Sequence, residues 1–499
     1  MTDGSGRDAG KRAGMAVLLA TCISTLVVNA NTSAVSILLP AISDDTGTSI
    51  ETLQWAVTGY SLVGAAVIVT AGALGDVFGR RKLFLLGIAL FIVSCVLIAL
   101  SPGGGGVIAG RAIQGASGAT ILASGLSLLS VASSGSEQMR VVSIWGAASA
   151  VGAAAGPLVG GLLVDSVGWQ GLFWLDAAIA AACIPITLRG IQESNDPSRS
   201  RSIDYVGTLL VAGILTPVIF GMTKATDWGW ISVATLAMFG LAAAAAFAFV
   251  WVERRVKAPL VDLELLRNRV LVGATLAILI GAGTINAMAY LLSIYFQNPE
   301  ALDFSPLAAG LATLPATVGL VAVTPFVPRL AVQLGTRQTI SLGFLISAVG
   351  FLALAFVQES WDYAIFVVPM LAAAVGMGLS NGPASSASTA CVDADQVGAA
   401  SGISNMARYV GAAVGVAAVA SIYAGVTNNR LDNGDPTGEA LAAGLAWSFV
   451  LLTVMSAAGI LMGFLARQRQ RSTRQIDSAA AAAAHLHTIV PPNDVPAAR

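Results

Sequence analysis

Three ionisable side chains, Arg111, Asp176 and Arg408, fall well inside long apolar stretches of this 499-residue chain. A charge in such a place is expensive unless it is paired or has work to do there. An aspartate can take up and release a proton, and an arginine can hold an anion or set the charge state of a neighbour. Asp176 lies only about 9 Å past the start of its stretch at a helical rise of about 1.5 Å per residue. Two roles are therefore open to it: a proton site, or an interfacial residue bonded to an adjacent helix. Arg111 could equally pair with helix-end carbonyls or reach outward, and for Arg408 function and structure stand even. The two histidines, His485 and His487, lie near the C-terminus, away from the apolar stretches, so no histidine relay or intramembrane metal site is expected. No lysine completes a GxxxxGK[ST] phosphate cradle, and ATP is not expected as a partner. Cys22, Cys95, Cys183 and Cys391 lie in apolar stretches without CxxC or metal spacing, which predicts buried thiols, no disulfide framework, no metal and no cofactor. Without paired acids or histidines in the stretches, an embedded enzyme is disfavoured.

The elements that must hold these charges follow from composition. Hydrophobic residues make up 56% of the chain and charged residues 11%, with a mean hydropathy of +0.79. A water-facing surface needs roughly a quarter of charged residues, so the outer surface is predicted to face a lipid bilayer. The net charge of -1 gives no reason to expect nucleic acid. With about 20 apolar residues needed per crossing, the spans fall at 15–41, 53–74, 83–101, 105–131, 141–164, 170–188, 205–223, 231–252, 270–296, 306–327, 339–357, 364–390, 398–425 and 440–465. The fold class is thus an all-α polytopic membrane protein with about fourteen transmembrane helices. With both termini on one face, all but four of the 26 Lys and Arg fall on that face; Lys224 and Arg430 lie opposite, and Arg111 and Arg408 lie within spans. Basic loops stay cytoplasmic, which predicts an inner-membrane, multi-pass protein with both termini inside and a first span that is retained.

A weak internal repeat divides the chain. Gly79-Arg80-Arg81 followed by Gly87 recurs as Gly335-Thr336-Arg337 followed by Gly343, and the Gly152/Gly156 pair recurs as Gly411/Gly415. The expected organisation is a cytoplasmic N-terminus at 1–14, a six-helix half at 15–188, an inserted helix pair with flanking loops at 189–269, a second six-helix half at 270–465 and a disordered cytoplasmic tail at 466–499. Two related halves around a midplane cavity are a common plan of secondary transporters.

The most specific motif runs from Gly72 through Gly75, Asp76, Val77, Phe78 and Gly79 to Arg80, Arg81 and Lys82. Glycines allow a tight turn there, and Asp76 is an anion beside a basic cluster. Gly72, Asp76, Gly79, Arg80 and Arg81 could form a latch that breaks when two halves rock, or serve only to anchor the loop inside. In the fifth span Gly152, Gly156, Gly160 and Gly161 clear the helix surface while Pro157 interrupts the hydrogen-bond ladder, which reads as a hinge or as simple packing. Together with Arg111-xx-Gln114-Gly115-xx-Gly118, these segments resemble the major facilitator superfamily. Trp55-xxxx-Tyr60, Trp169-xxx-Phe173, Glu253-xxx-Lys257-x-Pro259-Leu260, Ser305-Pro306-xxx-Gly310 and Arg408-xx-Gly411-xxx-Gly415 resemble its fourteen-helix drug:proton antiporter branch over residues 15–465. The resemblance implies a small-molecule exporter working by alternating access, with inward proton flow as the drive and Arg111 beside the proton-coupling groups.

One departure affects the coupling. Where that branch carries an acid in the first span, aligned on Pro40, this chain has Asn31, and an amide cannot carry the proton. Asp176 in turn stands where the branch usually has Asn. Two arginines against one acid within the spans favour a neutral, amphipathic or weakly anionic cargo. Asn31, Trp55, Tyr60, Asn286, Tyr290 and Asn405 are candidate cavity residues, aromatic walls with a few amides. Asn31 also favours a rival reading, a uniporter or dedicated exporter of one endogenous metabolite; a non-transporting membrane sensor is a further alternative.

Overall fold

A computed structural model describes residues 4–132, 135–195, 204–256, 259–261, 263–392 and 396–465, all helix and connecting turn, with no strand among them. The first six helices are α1 (Gly4–Thr46), α2 (Ile50–Phe78), α3 (Arg80–Ala99), α4 (Gly104–Ala132), α5 (Gly135–Val167) and α6 (Gln170–Gly190). A hairpin of α7 (Tyr205–Trp228) and α8 (Val233–Glu253) follows. The remainder is α9 (Arg269–Gln297), α10 (Pro306–Ala312), α11 (Leu314–Ala322), α12 (Val327–Leu334), α13 (Thr336–Leu354), α14 (Tyr363–Ala390), α15 (Val397–Asp432) and α16 (Thr437–Leu465). Fourteen helical segments are long and apolar enough to cross a membrane, α10 to α12 together making one of them. That tenth span was expected as one helix. It is broken because Pro315, Pro325 and Pro328 each remove a backbone donor, and it runs to Leu334, beyond the expected end at 327.

The repeat seen in the sequence reappears as matching packing. Helix α1 lies along α5 and α9 along α15; α3 rests on α4 and α6, and α13 on α14 and α16. Gly79 and Gly335 open α3 and α13 with φ of 115° and 85°, a region where a side chain would be strained. About two turns further in each case, Gly87 lies against Ile121 of α4 and Gly343 against the Gly376 carbonyl of α14. Lipid offers no hydrophobic drive between helices, so such bare-backbone contacts carry the association.

The two six-helix sets meet along α2–α15, α5–α10 and α1–α9. Three hydrogen bonds pin them at the end where α1 turns into α2. Ser293 Oγ donates to the Ser36 carbonyl at 2.5 Å, Gln297 Nε2 to the Ile37 carbonyl at 3.2 Å, and the Leu307 amide to Asp165 Oδ2 at 3.3 Å. Helix α7 packs on both α2 and α15, across their seam, while α8 packs on α7. Polar links hold α7 in place: Gln54 Nε2 donates to Thr223 at 2.8 Å, and Ser421 Oγ donates to the Met222 carbonyl at 2.8 Å.

Candidate functional site

Arg111 is fully buried on α4, and its guanidinium is the hub of a network joining five helices. Nε donates to the Ala56 carbonyl of α2 at 2.9 Å. Nη1 donates to Asn31 Oδ1 of α1 at 2.5 Å and to Gln114 Oε1, one turn along α4, at 2.5 Å. The other end of the Asn31 amide donates to Asp176 Oδ2 of α6 at 2.6 Å. Gln114 Nε2 continues the chain to Cys95 Sγ of α3 at 3.1 Å. Asn31 is fully buried and Asp176 is 3% exposed, so one amide separates a buried carboxyl from a buried guanidinium. Each bond to a charged group contributes about 1.5–3 kcal/mol, which offsets part of the desolvation. Arg111 Nη2 is buried without a hydrogen-bond partner.

The local sequence explains how α2 closes on this hub. Tyr60 lies under the guanidinium, 4.3 Å from carbon to ring centroid, a cation–π contact. A Cβ at Gly115 would strike the Tyr60 backbone carbonyl, and one at Gly118 the Tyr60 hydroxyl. The Gly-rich turn after Arg111 therefore sets the distance between α4 and α2. Gln114 and Ala56 were not picked out as site residues from the sequence. Gln114 was within reach, because residues three apart on a helix share a face; the Ala56 carbonyl carries no sequence signal.

The glycines of α5 serve two contacts. Gly152 lies on the Leu26 carbonyl, Gly156 on the Ala30 carbonyl and Ser33, and Gly160 on Ala34 and Leu38, all of α1. Gly161 instead meets Pro306 and Leu307 of α10, and Gly310 of α10 meets the Pro157 carbonyl. Pro157 lies within α5, which continues through it. In the second set Gly411 packs on the Leu279 carbonyl and Gly415 on Gly283.

At the α2–α3 turn, the basic cluster engages the segment after α6. Glu193 Oε1 accepts from the Arg81 amide at 3.0 Å and Oε2 from the Lys82 amide at 3.1 Å, so a carboxylate caps the free donors of α3. Arg81 Nη1 donates to the Ile191 carbonyl at 3.0 Å, and the Arg80 amide donates to the Ser194 carbonyl at 2.9 Å. Gly79 is bare beneath the Glu193 carboxylate, whereas Gly72 faces open space. The side chain of Asp76 and the tail at 466–499 lie outside the described residues. Glu193 gave no sequence signal, since an acid in a polar loop is normally solvated.

The other candidates scatter. Arg408 donates to Asn381 Oδ1 at 2.9 Å and Ser385 Oγ at 3.1 Å, both on α14. Trp55 stacks toward Phe220 of α7, with ring centroids 6.2 Å apart. Tyr60 faces Tyr409 across the α2–α15 seam at 6.3 Å. Tyr290 is buried in the apolar core shared by α1, α9 and α14. Asn286 and Asn405 are half-buried and donate to carbonyls of their own helices, Ala282 at 2.9 Å and Ser401 at 3.0 Å. All four cysteines are free thiols.

The Major Facilitator Superfamily family model matches residues 21–205 and 202–416. The chain is 30% identical over 414 residues to the multidrug resistance protein Stp of Mycobacterium tuberculosis (strain CDC 1551 / Oshkosh), covering 83% of this chain and 76% of that protein. It is 28% identical over 411 residues to the tetracenomycin C resistance and export protein of Streptomyces glaucescens, covering 82% and 75%. Among solved structures, an auto-inhibited POT family peptide transporter superposes with a TM-score of 0.67 at 13% identity, covering 93% of this chain and 99% of that one. With fourteen spans in two matching sets of six and a helix pair between them, the chain belongs to the major facilitator superfamily of membrane transporters.

Proposed function

We propose that this protein exports small amphipathic molecules, drugs or antibiotics among them, by alternating access and at the expense of a proton gradient. The single observation that carries the coupling is the Asp176–Asn31–Arg111 bridge. Ionised Asp176 balances Arg111 through the amide. A proton arriving on Asp176 cancels the anion and leaves Arg111 as an uncompensated cation with Nη2 free. The packing of α1, α4 and α6 must then change. Because α1 is seated on α5 through Gly152, Gly156 and Gly160, and α5 on α10 through Gly161, the change has a contiguous route into the second half. Gly156 and Pro157 act as hinge in this reading. Asp76, Gly79, Arg80 and Arg81 act as latch, with Glu193 holding the α3 end of the turn. The basic loops support an orientation with both termini in the cytoplasm, in an inner membrane.

The relatives support the cargo class: one is named for multidrug resistance and one for resistance to and export of tetracenomycin C. The cationic excess inside the spans supports a neutral, amphipathic or weakly anionic cargo. Asn31, an amide that cannot carry a proton in the first span, also favours a second reading, a uniporter or dedicated exporter of one metabolite without proton coupling. Everted vesicles with an acid interior and a pH-sensitive dye decide between them. Cargo-dependent collapse of the gradient, absent in Asp176→Asn and in Arg111→Ala, is the expected result. Cargo movement with the gradient intact would refute coupling and leave the second reading.

A further inference from the structure

The hairpin of α7 and α8 holds a pair of buried acids that the mechanism above does not use. Asp204, 6% exposed, caps α7: its Oδ1 accepts from the Gly207 amide at 2.6 Å. Glu253, 4% exposed, ends α8, and its Oε2 accepts from the Val261 amide at 3.3 Å. Their remaining oxygens, Asp204 Oδ2 and Glu253 Oε1, are buried without any hydrogen-bond donor. Both crowd the same bare Cα, that of Gly207, so the two free carboxyl oxygens face one small space. Two ionised carboxylates so placed would repel in a low dielectric; one hydrogen ion between them satisfies both free oxygens.

The cations on neighbouring elements are engaged elsewhere or exposed. Arg255 is exposed and lies over the Trp251 ring at 3.7 Å, Arg254 and Tyr205 are exposed, and Arg408 and Tyr409 of α15 face α14 and Tyr60. Arg80 and Glu264 have partners of their own, and Arg267 and Arg269 sit at the start of α9. Arg199, Arg201, Lys257, Asp262 and the side chain of Asp76 lie outside the described residues.

We propose that Asp204 and Glu253 form a proton-binding site in the inserted hairpin, one hydrogen ion shared between the two carboxyls, separate from Asp176. The bound proton keeps the base of the hairpin closed. Glu253 then holds Val261, which packs with Leu265, Ala400 and Ile403 at the foot of α15, and Thr208 bonds Thr70 of α2 at 2.5 Å. The pair thus steadies α7 where it crosses the α2–α15 seam. A proton held only in the folded pair stabilises most below the ordinary carboxylate range, and that stability is lost as pH rises through the titration of the folded pair.

The test uses the full-length protein in nanodiscs, in an Asp176→Asn background that removes the remaining buried carboxyl among the described residues. Infrared spectra at neutral pH are expected to show a protonated-carboxyl band that shifts in deuterium oxide and disappears with Glu253→Gln. The melting temperature is expected to fall as pH rises from mildly acidic through neutral, and to stay flat in Glu253→Gln and Asp204→Asn. A missing band in the parent protein overturns the proposal without any variant having to fold. A band and a pH slope that survive both substitutions overturn it as well.

Discussion

Replacing Asn31 by leucine removes both arms of the amide bridge at nearly constant volume. Asp176 loses a 2.6 Å donor and Arg111 a 2.5 Å acceptor. Each is a bond to a charged group, contributing about 1.5–3 kcal/mol, so the substitution should cost about 3–6 kcal/mol of stability. The two arms can be separated by a double-mutant cycle with Asp176→Asn. Once position 176 is an amide, no carboxylate is left to lose its donor, and only the Arg111 arm counts. The double variant should then be about 1.5–3 kcal/mol more stable than the sum of the single effects requires. Equilibrium unfolding in mixed micelles gives the three differences. The same vesicles used for transport give the functional arm, where a loss of at least about 1.4 kcal/mol lowers cargo-driven proton flux tenfold or more. Additivity of the two substitutions within about 0.5 kcal/mol would refute the bridge as a coupled unit. So would an Asn31→Leu protein that moves protons at the wild-type rate.

Arg111→Lys keeps the charge but loses the fork that reaches Ala56, Asn31 and Gln114 together; proton-coupled efflux in vesicles should fall at least about tenfold. Gly152→Ala and Gly411→Ala place a methyl into the Leu26 and Leu279 carbonyls; each should lower stability by about 1–3 kcal/mol, measured by unfolding, with transport reduced in proportion. Glu193→Gln should cost about 0.3–1 kcal/mol as the α3 cap loses its charge, whereas Gly79→Ala should cost about 1–3 kcal/mol from φ alone. Unfolding midpoints of the two variants check that order.

Much of this architecture was legible because lipid imposes few solutions. Every span was found, since uninterrupted apolar runs cannot hide, and Gly79 and Gly335 marked equivalent turns that the backbone bears out. The tenth span was found, but its breaks into α10, α11 and α12 and its end at Leu334 were not foreseen. For the site, Arg111 and Asp176 stood out as charges where none should be, but their connection was not readable. Asn31 looked like a lost acid; its role as the amide between two charges depends on α4 and α6 approaching α1 from separate sides, which spacing along a single helix cannot reveal. Trp55 shows the converse limit. Its aromatic character suggested a cavity wall, and only the position of α7 shows that this face of α2 meets the inserted hairpin. Glu193 and Asp204 were missed because an acid in a loop carries no mark of the partners it will meet until the loop is folded.

The sign of the proposed coupling narrows the cargo further. Coupling between two ligands is reciprocal: whatever a proton does to cargo affinity, cargo does to proton affinity. An anion bound to Arg111 Nη2 would draw the guanidinium away from Asn31 and Asp176, and a carboxyl deprived of its compensating cation keeps its proton. Anionic cargo would therefore travel with the proton, which is symport. A cation would displace the proton, yet it would have to sit beside the Arg111 guanidinium, one amide away from Asp176. A neutral amphipathic molecule with an N–H or O–H donor escapes both difficulties. Its donor can replace the Asn31 amide on ionised Asp176 and so favour proton release, while adding no charge beside the Arg111 guanidinium. Among neutral, anionic and cationic cargo, this is the class whose binding and the proton's exclude each other without a second cation beside Arg111, as export against an inward proton flow requires.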